Sequence, residues 1–213
     1  SALVEDLLES ERLSDRHVAL QRERLDLAVV ARGVITELQT RHPGGEVALQ
    51  VPTELPAQWL DATRLRLLLR NLLENAVRHG GGGHDSDRKG AFGSTMPDEG
   101  GIATTNTAAG PGRTVAPDMD AIAMVRIDRI PTGGCVIEVR DWGPGVPEEQ
   151  LSKLAEPFHR PDAARSRHAG GVGLGLYLCR LVAQAHGGRL ALENAHPGLR
   201  VRAWLPSDRQ APQ

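Results

Sequence analysis

The stretch ATRLRLLLRNLLENAVRH, residues 62–79, decides the fold of this chain. Its apolar residues recur at helical spacing, which predicts one long helix with a single buried face. Asp61 precedes the first turn and is a suitable N-terminal cap. The core face is formed by Leu65, Leu68, Leu69, Leu72, Leu73 and Ala76. Beside it, at i, i+4, i+7 and i+8, a polar stripe is formed by Asn71, Asn75, Arg78 and His79.

The two asparagines in this stripe are the first indication of a binding site. Asn is a mediocre helix former, so two of them on one stripe are not expected from helix propensity. Its amide oxygen is a neutral, hard ligand that suits a Mg²⁺ ion bridging phosphates. A polar stripe can also be simply solvated, and taken alone this one leaves both interpretations open.

The pattern on either side of this helix predicts an α/β sandwich with one mixed, mostly antiparallel sheet and helices on one face. Helical periods cover residues 1–24, 26–41, 147–155 and 174–186. Strand patterns cover residues 46–51, 59–60, 121–128, 135–140, 188–195 and 200–205, the third and fourth as a hairpin. Residues 80–119 have no apolar period and predict a flexible insertion, and residues 207–213 predict a disordered tail.

Composition restricts the class of protein. The chain has 213 residues, 40% of them hydrophobic, and a net charge of −2, which suits one folded domain with an appendage and disfavours a dedicated nucleic-acid binder. Cys135 and Cys179 lie in apolar runs, so we expect them to be buried and reduced. No apolar run approaches the ~20 residues that span a bilayer, and we expect a cytoplasmic domain.

A second motif, Asp141-Trp-Gly-Pro-Gly145, follows an apolar strand. A carboxylate at this position can accept a hydrogen bond from an exocyclic amine, while glycines let a flat ring approach the backbone. The same pattern is also good turn chemistry. These residues alone do not distinguish a ligand site from a turn with no ligand, and both interpretations stay open.

A third motif, Gly-Gly-Val-Gly-Leu-Gly-Leu over residues 170–176, opens a helix. Glycines before a helix N-terminus expose N–H groups that suit a polyphosphate. A Walker A loop would need Gly-Lys-Ser/Thr, and neither Lys89 nor Lys153 has that context. A Rossmann fingerprint would need a strand directly before the loop and a glycine in place of Leu176. Both alternatives fail on these residues.

In combination and order, these motifs resemble the ATP-binding catalytic domain of bacterial sensor histidine kinases, in the superfamily that also contains gyrase-type, chaperone and MutL ATPases. NLLENAVRH resembles the N box, DWGPG the G1 box, EPFHR (156–160) the F box and GGVGLGL the G2 box. The resemblance runs from about residue 24 to 206 and implies a Bergerat-type ATP-binding fold over 25–206. It makes residues 1–24 the C-terminal part of the second dimerisation helix.

The resemblance also implies the cofactors, ATP and Mg²⁺, and the roles of the matching residues. Asn75 is the expected Mg²⁺ ligand and Asn71 a second polar contact near the phosphates. Arg78 is expected to contact phosphate, and His79 to lie against the ribose or adenine. Asp141 is expected to recognise the adenine amine, and the glycines that give the ring clearance are Gly143 and Gly145.

Residues 157–173 would then be the ATP lid, with Phe158 as its hydrophobic anchor. The residues expected over the phosphates are Gly171, Val172, Gly173, Leu174 and Gly175. Arg165 or Arg167 is expected to stabilise charge on the γ-phosphoryl group during transfer. The chain departs from the family near its last strand, where it has Gly198-Leu199 in place of Gly-Thr.

The type of reaction depends on one substitution. Gyrase-type ATPases carry a Glu four residues before the Mg²⁺-binding Asn, and this Glu activates the attacking water. This chain has Asn71 at that position, and an amide cannot serve as a general base. Glu74 points about 100° away around the helix. The resemblance therefore implies phosphoryl transfer to a histidine rather than hydrolysis.

None of the eight histidines stands in an H-E-x-x-x-P context, so we expect the acceptor on another part of a parent sensor kinase and no self-phosphorylation of this chain. The expected partners are the phosphoacceptor-histidine helix of the parent dimer and a response regulator, with the parent anchored in the inner membrane. Two other classes stay open: an anti-sigma-type serine kinase, and a non-catalytic nucleotide-binding regulatory module.

Overall fold

The computed structural model describes residues 19–80, 121–131, 133–159 and 173–206. Within these ranges the helices are α1 Leu27–Arg41, α2 Ala62–Gly80, α3 Glu148–Leu151 and α4 Gly175–Ala185. The strands are β1 Arg22–Leu25, β2 Val47–Gln50, β3 Gln58–Asp61, β4 Ala123–Arg129, β5 Cys135–Asp141, β6 Arg189–Asn194 and β7 Leu199–Leu205. The predicted insertion and tail lie outside the described residues, apart from Gly80, which ends α2.

Five strands form the main sheet in the order β2-β4-β5-β7-β6. The β2–β4 pair is parallel and the other three pairs are antiparallel, which confirms the predicted mixed sheet. The predicted hairpin is β4–β5, in which Ala123 pairs with Asp141 and Arg129 with Cys135. Alternate residues of β5 are buried, as expected of a strand with one face on a core.

The core lies between this sheet and the three longer helices. Helix α2 is central: it contacts α1, α4, β4 and β5, and its Leu68, Leu69 and Leu73 are fully buried. Such a two-layer arrangement confirms the α/β sandwich. Cys135 and Cys179 are buried and free, as predicted, and burial raises the pKa of the Cys135 thiol to about 12.

The helix predicted over residues 1–24 is wrong at its C-terminal end. Residues 1–18 lie outside the described part, but residues 22–25 form strand β1, which pairs antiparallel with β3 in a separate two-stranded sheet. The Gln21 N–H also donates to Asp61 Oδ2 at 2.9 Å. These pairings with a segment some forty residues away override the local helical pattern, because backbone groups that find a strand partner do not need a helix.

Helix α3 is shorter than the predicted 147–155, because the chain continues in turns after Leu151. Pro157 disfavours helical backbone at the residue before it, which helps to end the helical segment. Among the described residues, no helix combines the length and apolar character that crossing a membrane requires.

The buried side chain of His186 connects the end of α4 to the start of α2. Its Nδ1 donates to the Val182 carbonyl at 2.8 Å, and its Nε2 accepts from the Asp61 N–H at 3.2 Å. Asp61 in turn caps α2, since its Oδ1 accepts from the Arg64 N–H at 3.0 Å. Burial lowers the pKa of His186, and nearby Arg22 and Arg64 add to that effect. The fold therefore holds this histidine neutral.

Candidate functional site

The carboxylate of Asp141 ends strand β5 and is the only acidic group of the DWGPG motif. Its side chain is buried, with 6% of its surface exposed. Oδ1 accepts from the Gly143 N–H at 2.8 Å and from the Leu199 N–H at 3.2 Å. Burial raises the pKa of this carboxyl, and the two N–H donors oppose the rise. Within the described residues both hydrogen bonds end on Oδ1, so Oδ2 can accept from a ligand.

The glycines of this loop are required by the protein's own packing. A Cβ at Gly143 would clash with the carbonyl of His79, at the end of α2. Gly145 has φ of +71°, and a Cβ there would lie 2.7 Å from Asn194 Oδ1. Protein atoms therefore occupy at least part of the space that these two glycines were expected to leave for the adenine ring. Bare backbone here lets α2 and β6 approach the loop closely.

Asn194 is a site residue that the sequence analysis missed. It ends β6, and its Oδ1 accepts from the Val146 N–H at 3.0 Å. Its Nδ2 donates to the Val146 carbonyl at 2.7 Å and to Glu148 Oε1 at 2.8 Å. An asparagine at a strand end has no distinctive sequence pattern, so only the structure identifies this contact.

The polar stripe of α2 divides into a buried and an exposed part. Asn71 is 8% exposed, and its Nδ2 donates to the Leu67 carbonyl at 3.0 Å. Asn75, one turn later, is half-buried, and Arg78 and His79 are exposed. Because α2 ends against Gly143, the exposed part of the stripe lies at the same end of the helix as the DWGPG loop.

The start of α4 lies against the buried part of the stripe. A Cβ on Gly175, the first residue of α4, would be 3.1 Å from Asn71 Oδ1. Leu174 is buried just before it, and the carbonyl of Gly173 accepts from the Phe158 N–H at 3.1 Å. Helix α2 therefore touches both the DWGPG loop and the first turn of α4, which brings the described parts of all three motifs together.

Several predicted site residues lie outside the described ranges, namely Arg165, Arg167, Gly171 and Val172. Their roles stay predictions. Phe158 is described, and its side chain is 59% exposed with φ of +61°. Residues 160–172 of the lid that Phe158 is expected to anchor lie outside the described ranges, so its role as a hydrophobic anchor also stays a prediction.

The donor set at the exposed part of the stripe fits a Mg²⁺ ion that arrives with a polyphosphate. Among the described residues no group of three or more His, Cys, Asp or Glu side chains is placed to hold a metal ion. Mg²⁺ commonly takes only one or two protein oxygens and completes its shell with water and phosphate. The half-exposed amide of Asn75 suits that single-ligand role.

Known proteins are similar to this chain in sequence and in fold. Residues 60–209 match the family described as histidine kinase-, DNA gyrase B- and HSP90-like ATPase. The chain is 31% identical over 206 residues to the probable sensor histidine kinase TcrY of Mycobacterium tuberculosis, covering 97% of this chain and 35% of that protein. It is 30% identical over 209 residues to the alginate biosynthesis sensor protein KinB of Pseudomonas aeruginosa, covering 95% and 27%.

Solved structures have the same fold. The crystal structure of full-length ShkA in complex with AMPPNP has a TM-score of 0.67 at 23% identity, over 97% of this chain and 36% of that chain. The nucleotide-free catalytic domain of the histidine kinase ThkA has a TM-score of 0.58 at 20% identity, over 88% and 99%. These likenesses confirm the expected fold. The chain spans only 35% and 27% of the lengths of TcrY and KinB.

Proposed function

The chain belongs to the family of histidine kinase-, DNA gyrase B- and HSP90-like ATPases, and from that premise we propose that it is the ATP-binding catalytic domain of a two-component sensor kinase. It binds Mg·ATP and donates the γ-phosphoryl group to a histidine on the dimerisation helix of its parent. The parent then passes the phosphoryl group to a response regulator. We place this domain on the cytoplasmic side of a membrane-anchored parent.

The observation that carries this proposal is the state of Asp141. A buried carboxylate is costly unless its hydrogen-bonding capacity is used. Here two backbone N–H groups use Oδ1, and the other oxygen suits the exocyclic amine of adenine. The carboxylate lies where the loop, the end of α2 and strand β7 meet, next to the exposed polar stripe.

Transfer rather than hydrolysis follows from the groups around Asn71. A water-activating general base at that position would have to be a carboxylate, and the residue present is an amide. The nearest acidic residue on α2, Glu74, forms an ion pair with Arg41 of α1 at 3.1 Å. It is therefore directed away from the stripe, and an already nucleophilic imidazole is the better acceptor.

The remaining roles are those that the resemblance to the family implies. Asn75 would hold a Mg²⁺ ion, which would supply positive charge next to the phosphates. Arg78 contacts phosphate, and His79 lies against the ribose or adenine. We propose that the phosphates are contacted by the segment that comprises Gly171, Val172, Gly173, Leu174 and Gly175, and that Arg165 or Arg167 stabilises the transferred group.

The test is transfer between separate polypeptides. This chain is incubated with [γ-³²P]ATP, Mg²⁺ and a fragment that carries the dimerisation helices of the parent. We expect label on the helix fragment that is labile in acid and stable in base, as phosphohistidine is. This chain alone should bind ATP without becoming labelled. Arg126→Ala, which breaks only an ion pair with Asp128 on the outer sheet face, should transfer normally.

Other outcomes would contradict the proposal in distinct ways. Acid-stable phosphoserine on a partner protein would favour the anti-sigma-type serine kinase. ATP binding with no transfer to any histidine helix would favour the regulatory module. Acid-labile label on this chain by itself would show that the acceptor lies within it.

A further inference from the structure

The loop that follows Asp141 is held at two points by the turn between β6 and β7. At its start, the Leu199 N–H donates to Asp141 Oδ1. At its far end, Asn194 binds both backbone groups of Val146. Asn194 and Leu199 are paired directly across the β6–β7 ladder, so the two attachments start from neighbouring positions. A backbone hydrogen bond from Ala195 N–H to the Gly198 carbonyl, 2.8 Å, closes the turn.

The second attachment depends on the chemistry of one side chain. An amide presents an acceptor and a donor on the same plane, and the N–H and carbonyl of Val146 use both. Glu148 uses the remaining Nδ2 proton. A carboxylate of the same shape would keep the bond to the Val146 N–H. It would also face the Val146 carbonyl and the Glu148 carboxylate without a proton to donate.

We propose that Asn194 is a positioning residue for recognition of the nucleobase. By fixing the far end of the loop, it sets where the backbone of Gly143–Gly145 and the Asp141 carboxylate meet the ring. Gly145 is part of the same contact, since any Cβ there would press on the Asn194 amide. The proposal rests on the proposed function and extends it to selection among nucleotides.

The experiment compares two nucleotides on the whole 213-residue chain. ATP and inosine triphosphate share the ribose and phosphates, but inosine carries an oxygen where adenine carries its amine. We expect the unchanged protein to prefer ATP. Asn194→Asp should weaken ATP binding about tenfold, because the bonds from Nδ2 to the part-buried Val146 carbonyl and to Glu148 are both lost, and leave inosine triphosphate within about twofold. The preference for ATP, measured by calorimetry, should largely disappear.

The matched control is Glu193→Gln, one residue earlier on β6 and on the opposite face of the sheet. Glu193 contacts Arg200 and Arg202 and not the loop, so this change should keep the preference. If thermal unfolding shows that Asn194→Asp does not fold, Asn194→Ala takes its place, because a methyl side chain can make neither bond to Val146.

Each outcome separates the role of Asn194 from the function of the domain. A variant that binds ATP and inosine triphosphate with the unchanged protein's preference would overturn the role of Asn194 and leave the proposed function standing. Equal weakening of both nucleotides would also overturn it, since a general loss of structure does that. Failure of the unchanged protein to bind either nucleotide would overturn the proposed function itself.

Discussion

The two ends of the candidate nucleotide site are built differently. At the base end, which comprises residues 141–146 and the turn 195–198, Asp141 is buried and backbone N–H groups already hold it. At the phosphate end, which comprises Asn75, Arg78, His79 and the start of α4, these three side chains are half-buried or exposed. A neutral ring is recognised by shape and a few directed bonds, which must be in place beforehand. Charged phosphates are recognised by groups that stay hydrated until the ligand arrives.

The largest effect is expected at the phosphate end, from Asn75→Ala. Removal of the only amide that we assign to Mg²⁺ should abolish the gain in ATP affinity that Mg²⁺ provides. Because even residues that merely support a metal ligand contribute about 10–100-fold, we expect a loss of at least about tenfold with Mg²⁺ present. Titration of ATP with and without Mg²⁺ measures it, and the Mg²⁺-free affinity should change little.

The adjacent residue provides the matched control. Glu74→Ala breaks the ion pair with Arg41, which is partly exposed and contributes at most about 1 kcal/mol to stability. It should leave the Mg²⁺ dependence unchanged. An Asn75→Ala protein whose ATP affinity still rises with Mg²⁺ would show that another residue holds the metal. The exposed stripe of α2 would then not be the phosphate end of the site.

A smaller effect is expected at the base end, as a dependence of ATP affinity on pH. Burial raises the pKa of Asp141 above its ordinary 3.8, so this carboxyl becomes protonated at a higher pH than an exposed aspartate. A protonated carboxyl is a weaker acceptor for the adenine amine. ATP affinity should therefore be full above the raised pKa and decline as the pH falls through it, as measured by calorimetry at successive pH values.

Asp141→Asn isolates this contribution from other titrating groups. The amide oxygen can keep the bonds from the Gly143 and Leu199 N–H groups, while its NH₂ faces the adenine amine donor to donor. We expect about tenfold weaker ATP binding near neutral pH and a shallower decline in acid. Identical pH profiles for the two proteins would rule Asp141 out as the titrating group.

The smallest effect on the site itself is expected from His186, which contacts Asp61 at the start of α2, whereas the DWGPG loop lies against the other end of that helix. The unfolded chain takes up a proton at this histidine near the ordinary pKa of about 6.5, whereas the folded protein keeps it neutral to lower pH. Its contribution to the free energy of unfolding is therefore full above that pH and decreases as the pH falls below it. Urea denaturation at successive pH values measures the slope.

His186→Gln should lower the free energy of unfolding by about 0.5–1.5 kcal/mol near neutral pH, because glutamine has no donor in the position of Nδ1 and the side-chain bond to the Val182 carbonyl is lost. The difference in the free energy of unfolding between this variant and the unchanged protein should become smaller in acid. The preference for ATP over inosine triphosphate should stay the same. The exposed His42 offers the control, and His42→Gln should leave the slope unchanged. If the free energy of unfolding of the His186→Gln protein depends on pH as steeply as that of the unchanged protein, another group is responsible for the acid sensitivity.

Much of this arrangement was predictable because its patterns are local. The period of α2, the alternation in β4 and β5 and the cap at Asp61 each involve residues within one element or next to it. The predictions failed where a distant partner decides the structure. Strand β1 forms because β3 pairs with it, and no pattern within residues 19–25 indicates that partner.

The sequence by itself determined which groups are available: two asparagines on one helical stripe, a carboxylate at a strand end and glycines before a helix. The type of each residue and its spacing from its near neighbours are enough for this. Residues three or four apart lie on one face of a helix, and residues two apart lie on one face of a strand. Only the tertiary structure decided that Asn194 reaches Val146, 48 residues away, and that His186 reaches Asp61, 125 residues away. Such bonds depend on how whole elements pack, since a single hydrogen bond contributes too little to dictate the path of the chain.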